Sequence, residues 1–269
     1  MGSGSGWVGR TYRAMARWGI DPRRTLTTFK GMPAYRRDRA RFTRQRDQSP
    51  DGRAFAIGPP APFLTDRHEQ AGQASGHYFH QDLLVAREIH RQNPRRHIDV
   101  GSSIYGFVSH VAAFREIEVL DVRPAETSVN GIRFVQHDIT NLDPAWTGAC
   151  DSASCLHALE HFGLGRYGDS IDYDGWRRGL DGLNRLLTTG GVLYLSVPTG
   201  TEQRVDFNAQ RIFALPYLRQ ALEEDFQIER LAFVDDSGRL STNCDPYSLD
   251  AEHSFGAAYG CSIWFLRKR

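Results

Sequence analysis

Apolar positions from about residue 76 onward follow two alternating patterns along the chain. Short, mostly apolar runs typical of buried strands alternate with segments whose apolar residues recur at helical spacing. Strands are predicted at 97–100, 117–121, 132–137, 150–156, 191–197, 227–233 and 261–266, helices at 81–92, 107–114 and 176–187, and a loop-rich insertion at 235–260. Strands that alternate with helices indicate an α/β fold with a parallel sheet.

The first 75 residues differ in composition and are predicted to form a basic N-terminal arm and linker (1–75) ahead of the α/β domain (76–269). Residues 1–6 contain only Met, Gly and Ser, aromatic residues recur near helical spacing in 7–18, and Pro, Gly and Asp are concentrated in 47–64. Within residues 1–50, eleven arginines and Lys30 outnumber three aspartates, for a net charge of +9. The remainder therefore carries −8 of the total of +1.

Such an arm has several candidate partners. A basic segment binds nucleic acid, anionic lipid headgroups or an acidic protein surface. The simplest interpretation is a solvated extension, or one whose aromatic residues pack on the α/β domain or on another subunit of a homo-oligomer. Contact with a membrane surface stays open, and nucleic acid is the least expected partner.

The bulk composition places the chain among globular proteins, at 269 residues with 40% apolar and 24% charged residues. No apolar run approaches the roughly 18 residues of a membrane-spanning helix, and the N-terminus lacks a signal-peptide pattern. These features predict a cytoplasmic protein, with attachment to the inner membrane face through the arm as the alternative. Four cysteines without a Cys-x-x-Cys pair are expected to be reduced thiols.

Acidic residues stand at the ends of the first three predicted strands, as Asp99, Asp121 and Asp138. The first strand breaks into a turn at Gly101, and a turn of this kind ahead of a helix lets backbone N–H groups approach a ligand closely. In a doubly wound sheet, ligands bind beyond the carboxyl ends of the strands. The turn lacks the Gly-x-Gly-x-x-Gly spacing of a dinucleotide site, which disfavours NAD and FAD.

This order of strand-end acids around Asp-x-Gly resembles the class I S-adenosylmethionine-dependent methyltransferases. The resemblance implies a Rossmann-like methyltransferase domain whose seven-stranded, mostly parallel sheet has an antiparallel seventh strand inserted between the fifth and sixth. It implies S-adenosyl-L-methionine as cofactor, with the glycine turn at the methionine part, Asp121 at the ribose and Asp138 at the adenine. The cofactor-binding residues expected from it are Asp99, Gly101, Ser102, Ser103, Asp121, Val122, Asp138 and Ile139.

The densest group of polar residues follows the fourth strand. His157, Glu160 and His161 are candidates for the base that takes a proton from an alcohol acceptor during methyl transfer. Some family members bind Mg²⁺ through a Glu-x-x-Glu-His stretch at this place, so Glu160 and His161 are also metal candidates, with Asp169, Asp172 and Asp174 nearby. A purely structural role for these residues stays open. The His-x-x-Glu-His protease pattern is disfavoured, because it needs a long helix, whereas here it follows a strand and Gly163 and Gly165 come soon after it.

Residues 157–176 look like a group of methyltransferase-like proteins that share a Glu-His-Phe-Gly-Leu-Gly-Arg-Tyr-Gly-Asp segment and are similar in context to enzymes of polysaccharide and sugar modification. The resemblance implies a small-molecule or glycan acceptor, for which Tyr167, Asp169, Asn208 and Arg211 are the candidate binding residues. The prediction is an O-methyltransferase acting on a sugar or glycoconjugate hydroxyl. The alternatives are a non-catalytic cofactor-binding module that docks a partner through the arm, and an RNA methyltransferase.

Overall fold

The structure is a computed structural model that describes residues 22–50, 54–64, 72, 74–126 and 128–269, with the side chains of the first helix described from residue 31 onward. The chain divides into two compact units, Met1–Gln73 and Ala74–Arg269. The segment 1–6, which we expect to be flexible, and the segment 7–18, for which the spacing of aromatic residues predicts a short basic helix, lie outside the described residues.

The first unit contains a long helix that the sequence patterns did not predict. Helix α1 spans Pro22–Gln48 and holds Pro33 within it. Its described side chains are mostly exposed and include six arginines at positions 36, 37, 39, 41, 44 and 46. With no apolar face to produce a periodic pattern, the helix gives no hydrophobic signal in the sequence. Within the described part of the chain, no helix combines the length and the apolar character needed to cross a bilayer.

The second unit is built on a sheet of eight strands. In chain order these are β1 (His97–Val100), β2 (Ile117–Asp121), β3 (Ile132–Gln136), β4 (Cys150–Leu156), β5 (Leu187–Thr199), β8 (Phe226–Val234), β9 (Leu240–Cys244) and β10 (Gly260–Lys268). A separate hairpin pairs β6 (Arg204–Asp206) with β7 (Gln210–Ile212). The helices are α2 (His77–Gln92), α3 (Ser109–Ala112), α4 (Gly175–Leu186), α5 (Leu215–Glu223) and α6 (Leu249–Glu252).

The strand order across the sheet is β3-β2-β1-β4-β5-β10-β8-β9. Strands β1 to β5 are parallel, and β10 runs antiparallel between β5 and β8. The predicted fold is therefore confirmed, a Rossmann-like α/β sheet with an inserted antiparallel strand. The expected count of seven strands needs a correction, because β9 adds an eighth strand at the edge, beside β8. It was missed because its sequence, Leu-Ser-Thr-Asn-Cys, is mostly polar and lies on an exposed edge.

Two buried apolar clusters cover the two faces of this sheet. One contains residues of α4 and α5 and the Trp264 ring, and the other contains residues of α2 together with Ile263 and Phe265. Neighbouring residues of β10 thus point to opposite clusters, as the alternation of a strand requires. Both faces of β10 are buried, which explains its nearly continuous apolar sequence.

The segment after the glycine turn differs most from the prediction. In place of a helix over 107–114, a π-helical turn (Ile104–Val108) precedes the short helix α3. Gly106 lies against the Asp82 carboxylate of α2, where a Cβ would clash, and the Ser103 hydroxyl accepts its backbone N–H. These contacts determine the backbone conformation of this turn, which the spacing of apolar residues does not predict.

Candidate functional site

A single cleft lies at the carboxyl ends of β1 to β4. Its empty volume is about 730 Å³, part of it open to solvent. The residues that line it come from the first glycine turn, the ends of β2 and β3, and the segment after β4. Among the predicted site residues they are Gly101, Asp121, Val122, Asp138, Ile139, His157, His161, Tyr167 and Asp169.

Gly101 forms the floor of the cleft where β1 ends. Its φ of +70° is in the left-handed region, and a Cβ here would approach the Ala158 Cβ to 3.1 Å. Its N–H donates to the Leu120 carbonyl at 3.0 Å, which ties the turn to β2. A side chain is disfavoured here for two reasons, the backbone conformation and the packing of the turn against the segment after β4.

Asp99 does not line the cleft, so its predicted contact with the cofactor is corrected to a supporting role. Its carboxylate is fully buried and accepts hydrogen bonds from the Ser102 N–H, the Ser102 hydroxyl and the Ser154 hydroxyl, at 3.0, 2.6 and 2.5 Å. Burial raises the pKa of Asp99 to about 6, against these hydrogen bonds. The Ser102 and Ser103 hydroxyls also bond within the protein, since Ser102 accepts the Leu156 N–H and Ser103 accepts the Gly106 N–H. These hydrogen bonds hold the turn between β1 and β4.

Asp121 lines the cleft and is paired with an arginine that the sequence analysis did not single out. Arg123 donates to Asp121 Oδ1 from its backbone N and from Nε, both at 2.9 Å, and to Oδ2 from Nη2 at 2.6 Å. The guanidinium also lies over the Tyr167 ring, 4.4 Å from its centroid. A carboxylate has about four acceptor positions, so Asp121 retains one for a ligand. The signal available in the sequence was the basic residue two positions after a strand-end acid.

Asp138 and Ile139 form the third side of the cleft. Asp138 Oδ1 accepts from the Thr140 N–H at 2.9 Å and from the Thr140 hydroxyl at 2.7 Å, which caps a short 3₁₀ turn. No described residue donates to Oδ2. Gly182 of α4 packs directly on the Ile139 carbonyl, so the helix supports this wall of the cleft.

His157 and Glu160 form a buried pair directly after β4. His157 Nδ1 lies 2.7 Å from Glu160 Oε1, and the side chains are 3% and 1% exposed. Burial lowers the pKa of His157, but electrostatic interactions with Cys261 and Glu160 outweigh it and raise the pKa well above its ordinary value. His157 therefore holds its proton in this arrangement and is poorly suited to act as a base. Glu160 does not line the cleft.

His161 lines the cleft in the neutral form. Its Nδ1 lies 2.7 Å from the Ala209 carbonyl oxygen, which can only accept, so Nδ1 carries the proton and Nε2 has a free lone pair. Nε2 is 3.7 Å from Glu160 Oε1. Burial, partly opposed by Glu160, lowers the pKa of His161. A proton taken up at Nε2 would thus come to lie beside a buried carboxylate.

The loop after His161 is held together by its own acids. The Asp169 carboxylate accepts backbone N–H groups of Gly163, Gly165 and Tyr167 at 2.8 to 3.3 Å. Asp172 pairs with Arg178 and accepts the Asp174 N–H. These oxygens are engaged within the protein, and no convergent group of metal-ligating side chains in the described residues includes Glu160 or His161. The geometry does not support the Mg²⁺ site expected there.

The two remaining substrate candidates lie away from the cleft walls. The Arg211 guanidinium is buried and donates to the carbonyls of Glu160, Phe162, Asp172 and Tyr173, at 2.6 to 3.4 Å. We correct its expected role from substrate binding to clamping this loop, because four backbone acceptors occupy both terminal nitrogens. Asn208 is exposed in the connection between β6 and β7.

Comparison with known proteins gives a consistent picture of the fold. The chain is similar to the crystal structure of the [4+2]-cyclase SpnF, with a TM-score of 0.50 and 16% identity over 70% of this chain and 81% of that chain. This likeness shows that the two chains share a Rossmann-like α/β fold. A family profile described as Caenorhabditis protein of unknown function, DUF268, matches residues 121–226. No curated protein matches the chain.

Two further solved structures resemble it less closely. One is the N-methyltransferase NodS from Bradyrhizobium japonicum WM9 in complex with S-adenosyl-L-homocysteine, with a TM-score of 0.46 and 14% identity over 72% of this chain and 88% of that chain. The other is a putative S-adenosylmethionine-dependent methyltransferase from Listeria monocytogenes, with a TM-score of 0.45 and 10% identity over 71% and 97%.

Proposed function

We propose that this protein is an S-adenosylmethionine-dependent O-methyltransferase that acts on a hydroxyl of a sugar or glycoconjugate. The observation that carries the proposal is the convergence of Gly101, Asp121, Asp138 and His161 on one cleft at the carboxyl ends of β1 to β4. Three of these positions match the cofactor pattern of the class I methyltransferases, and the fourth is a neutral histidine. When bound, the cofactor would supply an electrophilic methyl group.

The residues present fit this cofactor. The Gly101 turn offers a surface without a side chain, where a Cβ would meet Ala158. Asp121 keeps one acceptor position beside its three hydrogen bonds to Arg123, enough for a ribose hydroxyl. Asp138 Oδ2 accepts no hydrogen bond from a described residue, so it is available to accept one from the adenine amino group. Arg123 and Tyr167 shield this side of the cleft through their stacked contact.

His161 is the residue we assign as general base. Its Nε2 lone pair can accept the hydroxyl proton of the acceptor, while the Nδ1–H bond to Ala209 holds the ring in the required tautomer. Glu160, 3.7 Å from Nε2, stabilises the imidazolium that forms. His157 serves instead as the cationic partner of Glu160 and keeps that carboxylate ionised.

The acceptor class rests on the sequence likeness at residues 157–176 and on the residues at the rim. Tyr167 presents an aromatic ring at the cleft, and Arg123 and Arg166 lie 4.4 and 5.1 Å from its centroid. Aromatic rings pack on the apolar faces of sugars, while guanidinium groups donate hydrogen bonds to hydroxyl or acidic groups. This combination favours a glycan, neutral or acidic, over an apolar alcohol.

Binding of S-adenosylhomocysteine tests the cofactor assignment without a known acceptor. By calorimetry, Asp121→Asn should weaken binding roughly 10- to 100-fold, since hydrogen bonds to a charged group contribute about 1.5–3 kcal/mol. Glu116→Gln, an exposed acid just before β2, is the control and should leave the affinity unchanged. Equal affinities of the wild type and Asp121→Asn would contradict the ribose assignment.

A panel of acceptors tests the reaction itself. Neutral sugars, acidic sugars and simple alcohols are incubated with S-adenosylmethionine, and mass spectrometry follows both S-adenosylhomocysteine and the methylated product. Turnover with a sugar is the expected result. Tight binding of S-adenosylhomocysteine without turnover on any acceptor would indicate a non-catalytic binding module instead.

A further inference from the structure

Three potential metal ligands from separate elements meet beside the His157–Glu160 pair. His77 is the first residue of α2, His157 follows β4, and Cys261 is the second residue of β10. One ligand atom of each residue lies within 4.8 Å of those of the other two. His157 and Cys261 are buried, His77 is half-buried, and the two imidazole rings stack with centroids 5.2 Å apart. This trio is the one convergent ligand group among the described residues.

His157 has a nitrogen that the protein itself does not satisfy. Its Nδ1 is bonded to Glu160 Oε1, whereas its Nε2 is buried and has no hydrogen-bond partner among the described residues. Glu160 Oε2 is also buried without one. Leaving a buried polar atom unpaired costs about 1–3 kcal/mol, more for a charged group. The orphaned Nε2 on a side chain that is 3% exposed therefore points to a missing ligand.

Glu160 contacts His157 as an outer-sphere carboxylate contacts a metal-binding histidine. Metal-binding histidines usually donate their second ring N–H to a carboxylate or carbonyl, which fixes the tautomer and leaves the other nitrogen for the metal. Glu160 does this at Nδ1 with a 2.7 Å bond. The nitrogen left for a metal is Nε2, the atom without a partner.

We propose that His77, His157 and Cys261 bind a Zn²⁺ ion, with Glu160 orienting His157. Two imidazoles and one thiolate suit zinc, whereas Mg²⁺ and Ca²⁺ require oxygen ligands. Ligand atoms around a tetrahedral zinc lie about 3.3–3.8 Å apart, given bond lengths of about 2.0–2.3 Å. The ligand atoms, which lie within 4.8 Å of one another, would have to move inward, and the stacked rings would have to turn so that both lone pairs face the ion.

Charge balance supports the same assignment. Binding would release two protons to solvent, one from the Cys261 thiol and one from His157 Nε2. The two negative charges of Cys261 and Glu160 would then match the two positive charges of the ion, with both histidines neutral. Buried charges are tolerated when they are paired or coordinate a metal. Three protein ligands leave a fourth tetrahedral position for water. The ion would join α2, β10 and the segment after β4. It shares His157 and Glu160 with the proposed methyl transfer, and it would replace the His157 proton as the positive charge that keeps Glu160 ionised.

Titration of the full-length, chelator-treated protein with Co²⁺ tests the site through its absorbance. We expect one equivalent to give tetrahedral d–d bands and a thiolate-to-cobalt charge-transfer band, both displaced by Zn²⁺. Cys261→Ser should abolish the thiolate band, and the control Cys244→Ser, a half-buried thiol outside the trio, should keep it. No thiolate band in the wild type, or a band that survives Cys261→Ser, would overturn the proposal.

Zinc affinity, measured by competition with a chromophoric chelator, gives a second readout. His77→Ala should weaken it more than 100-fold and Glu160→Gln by roughly 10- to 100-fold, the range seen for outer-sphere partners. His80→Ala, one turn along α2 with its ring on the Gly238 carbonyl, is the matched control and should keep the affinity. Because His77 is half-buried, its variant remains informative if Cys261→Ser fails to fold. Equal zinc affinity in wild type and His77→Ala would contradict this ligand set.

Discussion

The two histidines beside Glu160 differ in charge, although they are only four residues apart in the sequence: His161 is neutral and His157 is protonated. His161 donates from Nδ1 to a carbonyl, which keeps Nε2 unprotonated, and its burial lowers its pKa. His157 faces the carboxylate through Nδ1, and its pKa is raised well above the ordinary value. One carboxylate thus neighbours a protonated ring and a basic ring, which gives the two residues different roles.

The pH dependence of turnover should report His161. A base works in its unprotonated form, so kcat should fall as pH drops through a pKa below the ordinary value of 6.5, and should stay level above it. His161→Gln should lower kcat by about 10²- to 10⁴-fold and remove this acid limb, with little change in S-adenosylhomocysteine affinity.

The control for that experiment is His110→Gln. This exposed histidine bonds the Gly106 carbonyl, and its replacement should leave both kcat and the acid limb in place. An unchanged pH profile in His161→Gln would contradict the assignment of His161 as the general base.

Residue-level prediction succeeded where a single strand end decides the position of a side chain. Asp121 and Asp138 line the cleft, because Asp121 ends β2 and Asp138 lies two residues beyond β3; their contacts with a cofactor stay predictions. Asp99 and Arg211 were not placed correctly, since their roles depend on partners about 55 and 40 to 50 residues away in the sequence. Arg123 was overlooked because its pairing depends on the turn after β2. The sequence carries residue types and strand ends, but not the partners that long-range packing supplies.

Among the elements, α4 supports the cleft most directly. Its glycines at 175, 179 and 182 form a smooth face on which the segments carrying Gly163, Phe162 and Ile139 approach the helix backbone. Glycine lowers the intrinsic stability of a helix. Its role at these three positions is therefore to allow the close approach of the neighbouring segments. The helix thereby sets the position of the Asp138–Ile139 wall, and this coupling cannot be read from helical periodicity alone.

Gly182→Ala should therefore both destabilise the protein and displace the Ile139 wall of the cleft. A Cβ at this position would clash with the Ile139 backbone carbonyl. Overpacking costs about 1–3 kcal/mol, of which improved helix propensity offsets up to about 1 kcal/mol. We expect Tm to fall by several degrees and S-adenosylhomocysteine to bind more weakly.

Asp181→Ala is the matched control, because its side chain is 63% exposed on the same helix. It should leave Tm and affinity nearly unchanged, as surface substitutions usually shift stability by no more than about 0.5 kcal/mol. A Gly182→Ala variant as stable as Asp181→Ala would show that Ile139 can move away without cost.

For the whole molecule, the apolar core belongs to the second unit. Every residue of the two buried clusters lies between Val85 and Leu266, whereas the described side chains of α1 are mostly exposed and include six arginines. The alternation of strands and helices was predictable because it is repeated over more than a hundred residues. The edge strand β9 and the long α1 were not predictable, since β9 is mostly exposed and the described side chains of α1 bury no regular apolar face.

A shortened chain of residues 74–269 should fold by itself. Circular dichroism should show a mixed α/β spectrum and one cooperative thermal transition, since both core clusters are intact. A chain of residues 97–269, which lacks α2 and its buried Val85, Ala86 and Ile89, should lose that cooperativity. Failure of 74–269 to unfold cooperatively would mean that the first unit contributes to the stability of the second.

The position of β10 also constrains how the protein is made on the ribosome. It is the last strand in chain order, yet it is hydrogen-bonded on both sides, to β5 and to β8. Until it emerges, the nascent β5 has an open edge and the β8–β9 ribbon has no attachment to the rest of the sheet. Unpaired edges of this kind template intermolecular association, so the interval before β10 appears is when chaperones would be needed most.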